Sequence, residues 1–223
     1  MLLTTDAIVL SLQPHSDKAH VLHAYTRAGG RVNYMVYGLG RKNAIGKYMP
    51  LSLIQITADH PVSGLPTLRE ASSLTAQRSY SVSDPYKQAI SLFIAEVLYH
   101  VLRHPMTDEP MFDFLAQAIQ SLDTTNEPQN FHLQFLVDFA AKLGFAIDPA
   151  DPSNPLISNP PISNPLISNP LISNPLISNP LILSPETRQE RQKQLRALCS
   201  YFEEHVETWQ TPKSLDVLIE VFD

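Results

Sequence analysis

Over roughly the first 70 residues, apolar and polar positions alternate with a period of two, which predicts strands. Residues 4–12 read as a first strand, and the turn-forming run Pro14, His15, Ser16 and Asp17 is expected to end it. Residues 19–27 give a second, with Val21, His23 and Tyr25 alternating against Leu22 and Ala24. Ala28, Gly29 and Gly30 predict a tight turn, since paired glycines tolerate positive φ. In the third strand Val32, Tyr34 and Val36 share one face, and Asn33, Met35 and Tyr37 the other. Gly38 and Gly40 follow, and Arg41 and Lys42 place two positive charges on the turn. A fourth strand spans 50–58, with Leu51, Leu53 and Gln55 opposed to Ile54 and Ile56. His60 to Gly64 turns the chain into a weaker fifth strand over 65–72, with Pro66 placing its start near an edge. Five short strands at hairpin spacing predict a small barrel or sandwich. The simplest closure is an OB-type barrel, whose loops and one face commonly bind oligonucleotides.

Near residue 84 the period changes to helical. Ser83, Asp84 and Pro85 predict a capped helix start, and Ala89, Ile90, Phe93, Val97 and Val101 its apolar stripe, to about Arg103. Thr107 or Asp108 opens a second helix carrying Phe112, Leu115, Ile119 and Leu122, and residues 130–143 form a third. Gly144 followed by Phe145 reads as a Schellman ending. From Ser153 to Ile182 the chain repeats Ser-Asn-Pro-Leu-Ile, with Pro161 replacing leucine in the second copy. A proline every five residues forbids helix and removes a ladder donor from each copy of any solenoid. The repeat therefore reads as a low-complexity insert. Helical spacing returns with Leu195, Leu198, Cys199, Phe202 and Val206, and a last helix carries Leu215, Leu218, Ile219 and Phe222. The fold expected is α+β: a five-stranded OB-type barrel over 1–80, then an all-α domain over 81–223 interrupted at 153–182.

Composition narrows the function classes. At 43% hydrophobic residues the chain can build a core, and it lacks the ~18 consecutive apolar residues of a membrane span. The N-terminus lacks the basic and apolar regions of a secretion signal, and the single cysteine, Cys199, excludes an intrachain disulfide framework or a Cys-rich zinc site. A cytoplasmic protein is expected. The net charge of −6 conceals a split: residues 1–80 carry eight basic side chains against four acidic ones, leaving −10 for the rest. A polyanion would therefore bind the N-terminal part.

No catalytic constellation stands out: there is no phosphate-binding Gly-Lys-Ser/Thr loop and no HExxH, and a non-enzymatic protein without cofactor or metal is expected. His15, His20 and His23 are neighbours in sequence, but alternation puts His20 and His23 on opposite faces, and no carboxylate or thiol completes a shell. Cys199 lies on an apolar helical face and reads as a core residue. Asp108 and Glu109 at a helix start complement the macrodipole. The nucleic-acid reading rests on Arg27, Arg31, Arg41, Lys42, Lys47 and Arg69, interleaved with Tyr25, Tyr34, Tyr37 and Tyr48. Cations neutralise phosphates and release counterions, and exposed tyrosines stack on bases. The plainer reading is a hairpin with solvated charges and tyrosines that pack the core.

The N-terminal Thr4-Thr5-Asp6-Ala7-Ile8-Val9-Leu10, residues 25–31, residues 36–42, Pro50 to Ile54, Leu68 to Ala71 and the helix end Leu143-Gly144-Phe145 together resemble the RecO family of bacterial recombination mediators. Residues 213–222 are similar to members from the Bacteroidetes lineage. The resemblance covers about 1–148 and 184–223. It implies an OB domain and a helical domain, binding of single- and double-stranded DNA, strand annealing, and help in loading the RecA recombinase. The implied partners are RecR and the C-terminal tail of the single-stranded DNA-binding protein, and the implied location is the cytoplasm, at the nucleoid. It places Arg27, Arg31, Arg41 and Lys42 at the family's basic DNA-contacting positions, and makes Arg103 and Lys142 candidates for the tail pocket. Two departures stand out: one cysteine cannot make the four-cysteine zinc site of some members, and the repeat replaces helical-domain sequence. The alternative from another class is a non-catalytic interaction adaptor whose OB domain has lost DNA binding; a hydrolase or metal enzyme is a third.

Overall fold

A computed structural model describes residues 1–39, 46–74, 84–148, 185 and 187–222. Five strands close into a barrel: β1 (Leu2–Ser16), β2 (Ala19–Thr26), β3 (Gly30–Tyr37), β4 (Leu53–Asp59) and β5 (Thr67–Ser73), in the order β1-β2-β3-β5-β4. All neighbours are antiparallel except β3 and β5, which run parallel. The architecture is the OB-type barrel with helices after it.

One set of alternating residues fills the barrel: Ala7, Val9, Leu22, Ala24, Tyr34, Val36, Ile54, Ile56 and Ala58. The other set faces outward, and on one side it is covered. Ile8, Leu10, Tyr25, Leu51 and Leu53 belong to the same apolar cluster as the helices, so barrel and helices share a core.

β1 runs to Ser16, through the stretch expected to turn. Its first half pairs with β4 as far as Ile8, and the Val9 amide donates to the Ser52 carbonyl while the Val9 carbonyl accepts from the Leu51 amide; only beyond Val9 does one edge lack a strand partner among the described residues. A proline tolerates such an edge, and Pro14 sits opposite His20 of β2 with a register irregularity after it. β4 starts at Leu53 rather than residue 50, because Leu51 takes φ of 60° in a turn. That conformation costs about 1–2 kcal/mol for a leucine. Burying the side chain, 1% exposed here, returns about 1.5–3 kcal/mol.

The helices are α1 (Pro85–Val101), α2 (Glu109–Thr124), α3 (Phe131–Lys142), α4 (Arg188–His205) and α5 (Ser214–Val221). Asp84 caps α1 through the Tyr86 and Lys87 amides, and Asp108 caps α2 through the Met111 amide. After α3, the Phe145 amide donates to the Ala140 carbonyl and the Gly144 amide to Ala141, with Gly144 at φ of 94°. These are the two bonds of the Schellman ending. A Thr187/Glu190 capping box opens α4.

Residues after the repeat pack on helices before it. Glu96 of α1 accepts from the Lys213 and Ser214 amides and the Ser214 hydroxyl, and so caps α5 from outside. Arg191 Nε donates to Asn130, and the Tyr201 hydroxyl donates to the Phe145 carbonyl. Phe139 stacks on Phe202 with centroids 6.0 Å apart, and Cys199 is buried in the same core. The repeat, 153–182, lies outside the described residues, but the helices flanking it form one core.

Candidate nucleic-acid interface

The barrel closes weakly at one seam. β3 and β5 share a single bridge, Met35 with Thr67, supported by the Met35 amide donating to the Pro66 carbonyl at 2.8 Å. Beyond it the strands part, and a groove of about 500 Å³ lies between the end of β3 and the outer face of β4 and β5. Tyr37, Lys47, Gln55, Thr57, Arg69 and Ser72 are among its lining side chains.

Local structure fixes the two cations. Residues 46–48 form a single 3₁₀ turn in which Tyr48 is buried in the barrel interior, which sets Lys47 at the seam. Lys47 Nζ donates to the Ala71 carbonyl at 3.0 Å, on the edge of β5 that β3 has left unpaired. Arg69 is exposed on β5, and its Nη2 donates to Asp59 at 3.2 Å. Asp59 also holds the N-terminal ammonium at 3.3 Å. The hydrogen bond from Arg69, then that from the N-terminus, holds its carboxyl below the usual carboxylate range. Glu70 shares the groove, so its field is mixed rather than uniformly positive.

The other sequence-derived candidates divide. Arg41 and Lys42 lie outside the described residues. Arg27 and Arg31 stand where the barrel meets the helices. Arg27 Nη2 donates to Asp113 of α2 at 2.6 Å, its Nε lies 3.9 Å from Asp6, and its guanidinium sits 4.5 Å from the centre of the Phe112 ring. The hydrogen bond to Asp113 raises the Arg27 pKa further. Arg31 is more deeply engaged. Its Nη1 donates to the Tyr99 carbonyl at 3.1 Å, its guanidinium lies 4.2 Å from the centre of the Tyr99 ring, and burial lowers its pKa. These contacts join α1 and α2 to the β2–β3 hairpin.

Arg103 and Lys142 are not brought together by any contact among the described residues. Arg103 follows α1 and donates to the His100 and Thr208 carbonyls, tying the end of α1 to the segment between α4 and α5. Lys142 is in the last turn of α3, 5.9 Å from the centre of the Phe114 ring.

The tyrosines separate just as clearly. Burial pushes the phenols of Tyr25, Tyr34 and Tyr48 up to about 12, and each side chain is packed. Tyr37 alone of these four is open, at 57% exposure. Its opposition to Tyr34 was legible in the alternation; its place beside Lys47 was not, because they are joined only by the closure of the barrel. His23 faces the helices, with Nδ1 2.7 Å from Asn33 Oδ1 and an edge contact to Tyr99. Among the described residues no group of three or more His, Cys, Asp or Glu could hold a metal ion. No described helix is long and apolar enough to cross a membrane.

Two family models match the chain: Recombination protein O N terminal over residues 1–77, and Recombination protein O C terminal over residues 82–151. The DNA repair protein RecO of Phocaeicola vulgatus is 38% identical over 149 residues, 65% of this chain and 61% of that protein. The DNA repair protein RecO of Bacteroides fragilis is 32% identical over 243 residues, covering 100% of both chains. That of Christiangramia forsetii is 29% identical over 239 residues, again covering 100% of both.

Proposed function

The chain belongs to the RecO family of DNA repair proteins, and from that premise we propose that it is a non-catalytic recombination mediator. It binds single- and double-stranded DNA on the barrel, anneals complementary strands, and assists RecA loading together with RecR. The helical part recruits protein partners, including the C-terminal tail of the single-stranded DNA-binding protein. The protein works in the cytoplasm, at the nucleoid, and needs no metal or cofactor.

The observation that carries this reading is the seam groove. At the weak β3–β5 seam of the closed OB-type barrel, Lys47, Arg69 and an exposed tyrosine line the same groove. Arg41 and Lys42, outside the described residues, follow groove-lining Leu39 by two and three residues in the chain. The ionic contribution is salt-dependent, because each phosphate neutralised releases condensed counterions.

The test uses the full chain, since Ile8, Leu10, Tyr25, Leu51 and Leu53 lie in the core shared with the helices, and a barrel cut free would expose them. Fluorescence anisotropy with labelled oligonucleotides should show binding of both DNA forms that weakens as salt rises. Mixing complementary strands should give faster annealing with protein than without. Absence of binding at low salt would sink the reading. The adaptor alternative draws on one observation, the engagement of Arg27 and Arg31 at the barrel–helix joint. It predicts a full chain that captures RecR and the tail peptide but neither DNA form.

A further inference from the structure

We propose that Tyr37 stacks on an unpaired base and is the residue by which the groove distinguishes single-stranded from duplex DNA; this deepens the DNA-binding reading above and rests on it. The starting point is an imbalance within one strand. Tyr34 of β3 is 1% exposed and fills the barrel, whereas Tyr37, three residues on, is 57% exposed. Among the described residues no side chain makes a ring contact or hydrogen bond with Tyr37. Its backbone is nonetheless fixed, since β3 pairs with β2 at this position, opposite Ala19. A fixed backbone presenting an open ring is a platform rather than a loose surface residue.

The surroundings supply the rest of a strand-binding site. Lys47 Nζ gives one of its three protons to the Ala71 carbonyl, which steadies the ammonium and leaves two for phosphate oxygens. Among the described residues Arg69 is held by an exposed ion pair with Asp59, of a kind contributing about 0–1 kcal/mol, and a phosphate can replace that partner. Glu70 on the same wall limits the net positive field, so charge alone cannot supply the affinity and the aromatic ring gains weight.

The selectivity follows from which base faces are free. In a duplex each base is covered above and below by its neighbours, so the ring of Tyr37 meets no open π-face. In a single strand it does, and such stacking is sequence-tolerant. When two strands anneal, the base returns to the duplex stack and leaves the ring. Tyr37 therefore favours the single-stranded reactant over the duplex product and promotes release of the product from the groove.

The experiment compares the wild-type full chain with Tyr37→Ala and Tyr37→Phe, using a labelled oligo-dT strand and a labelled duplex of equal length across a salt series. Tyr37→Ala should weaken oligo-dT binding by about 5- to 150-fold. Duplex affinity should change less than about twofold, and the salt slope should stay as in wild type because stacking releases no counterions. Tyr37→Phe should keep near-wild-type affinity, since the ring remains. An equal loss on both DNA forms, or no loss on oligo-dT, overturns the assignment of Tyr37 while leaving barrel binding intact. Failure of the wild-type chain to bind either form overturns the DNA reading, and this inference with it.

Discussion

Gly30→Ala tests the joint between barrel and helices most directly. Gly30 opens β3 at φ of 61°, and its α-carbon faces the backbone that links α1 to α2. A Cβ added there would fall inside van der Waals contact with the Met106 carbonyl oxygen, and lie 2.9 Å from Met106 N and 3.0 Å from the His104 carbonyl oxygen. All three are main-chain atoms, so no side-chain rotation relieves the overlap. Nor can the linker withdraw freely: the Arg31 amide donates to the His104 carbonyl, and the Thr107 hydroxyl donates to the Ala28 carbonyl at 2.7 Å. A left-handed alanine costs about 1–2 kcal/mol, and forced overpacking adds about 1–3 kcal/mol. The expected loss is about 2–5 kcal/mol against a typical total of about 5–15 kcal/mol. For a chain of this length that lowers Tm by about 4–20 °C. Gly64→Ala is the control, because Gly64 has φ of 90° but, among the described residues and apart from its chain neighbours, no heavy atom within 4 Å of where its Cβ would stand. It should lose only the conformational part, about 1–2 kcal/mol. Thermal unfolding followed by circular dichroism measures both variants. Equal losses in the two would refute the claim that the β2–β3 hairpin is pressed against residues 104–106.

Other consequences can be measured separately. Changing Arg41 and Lys42 together to alanine should reduce the log–log salt slope of duplex binding by nearly two units, about 0.9 for each phosphate left without its cation; an unchanged slope removes both from the interface. Asp138 of α3 is 5% exposed, and burial raises its carboxyl to about 6. Its folded pKa lies above the unfolded value, so its cost to stability is absent at low pH, grows as pH rises from about 4 to 6, and is complete above that. Asp138→Asn should then raise stability near pH 7.5 by about 3 kcal/mol, with Gln134 still donating to the new amide oxygen. His132 acts in the opposite sense: burial lowers it to about 3, so its contribution is lost as pH falls below the unfolded value near 6.5. The wild-type profile should therefore be flatter between pH 4 and 6 than that of Asp138→Asn, and denaturant titrations showing parallel profiles would contradict this assignment. Cleavage at a protease site engineered into 153–182 should leave two fragments that co-elute, because residues before and after the repeat share one core; fragments that separate under native conditions would refute that continuity.

Much of the local structure could be read directly from the chain. Period-two alternation placed the strands, Asp84 and Asp108 marked helix starts, and Gly144-Phe145 marked an ending, because each depends on interactions within a few residues. Alternation also separated Tyr34 from Tyr37. It could not say which outward residues would be covered, since that depends on what docks against the barrel. Arg27 and Arg31 have the same sequence character as Arg69, yet two lie against the Phe112 and Tyr99 rings while the third remains exposed. Likewise β1 continues through Pro14 where one of its edges has no strand partner among the described residues, a fact about sheet order rather than about proline.

The seam makes the division plain. Residues 37, 47 and 69 are far apart in the chain, and nothing local relates them. They meet because β5 returns beside β3 in parallel, touches it at one bridge, and then diverges. The sequence by itself determined the elements, the charge asymmetry and the family resemblance, since those reside in short-range pattern and composition. Only the tertiary structure decided which cations join the barrel to the helices, which tyrosine stays open, and where the groove lies, because those follow from long-range closure of the barrel and from the face that the helices bury.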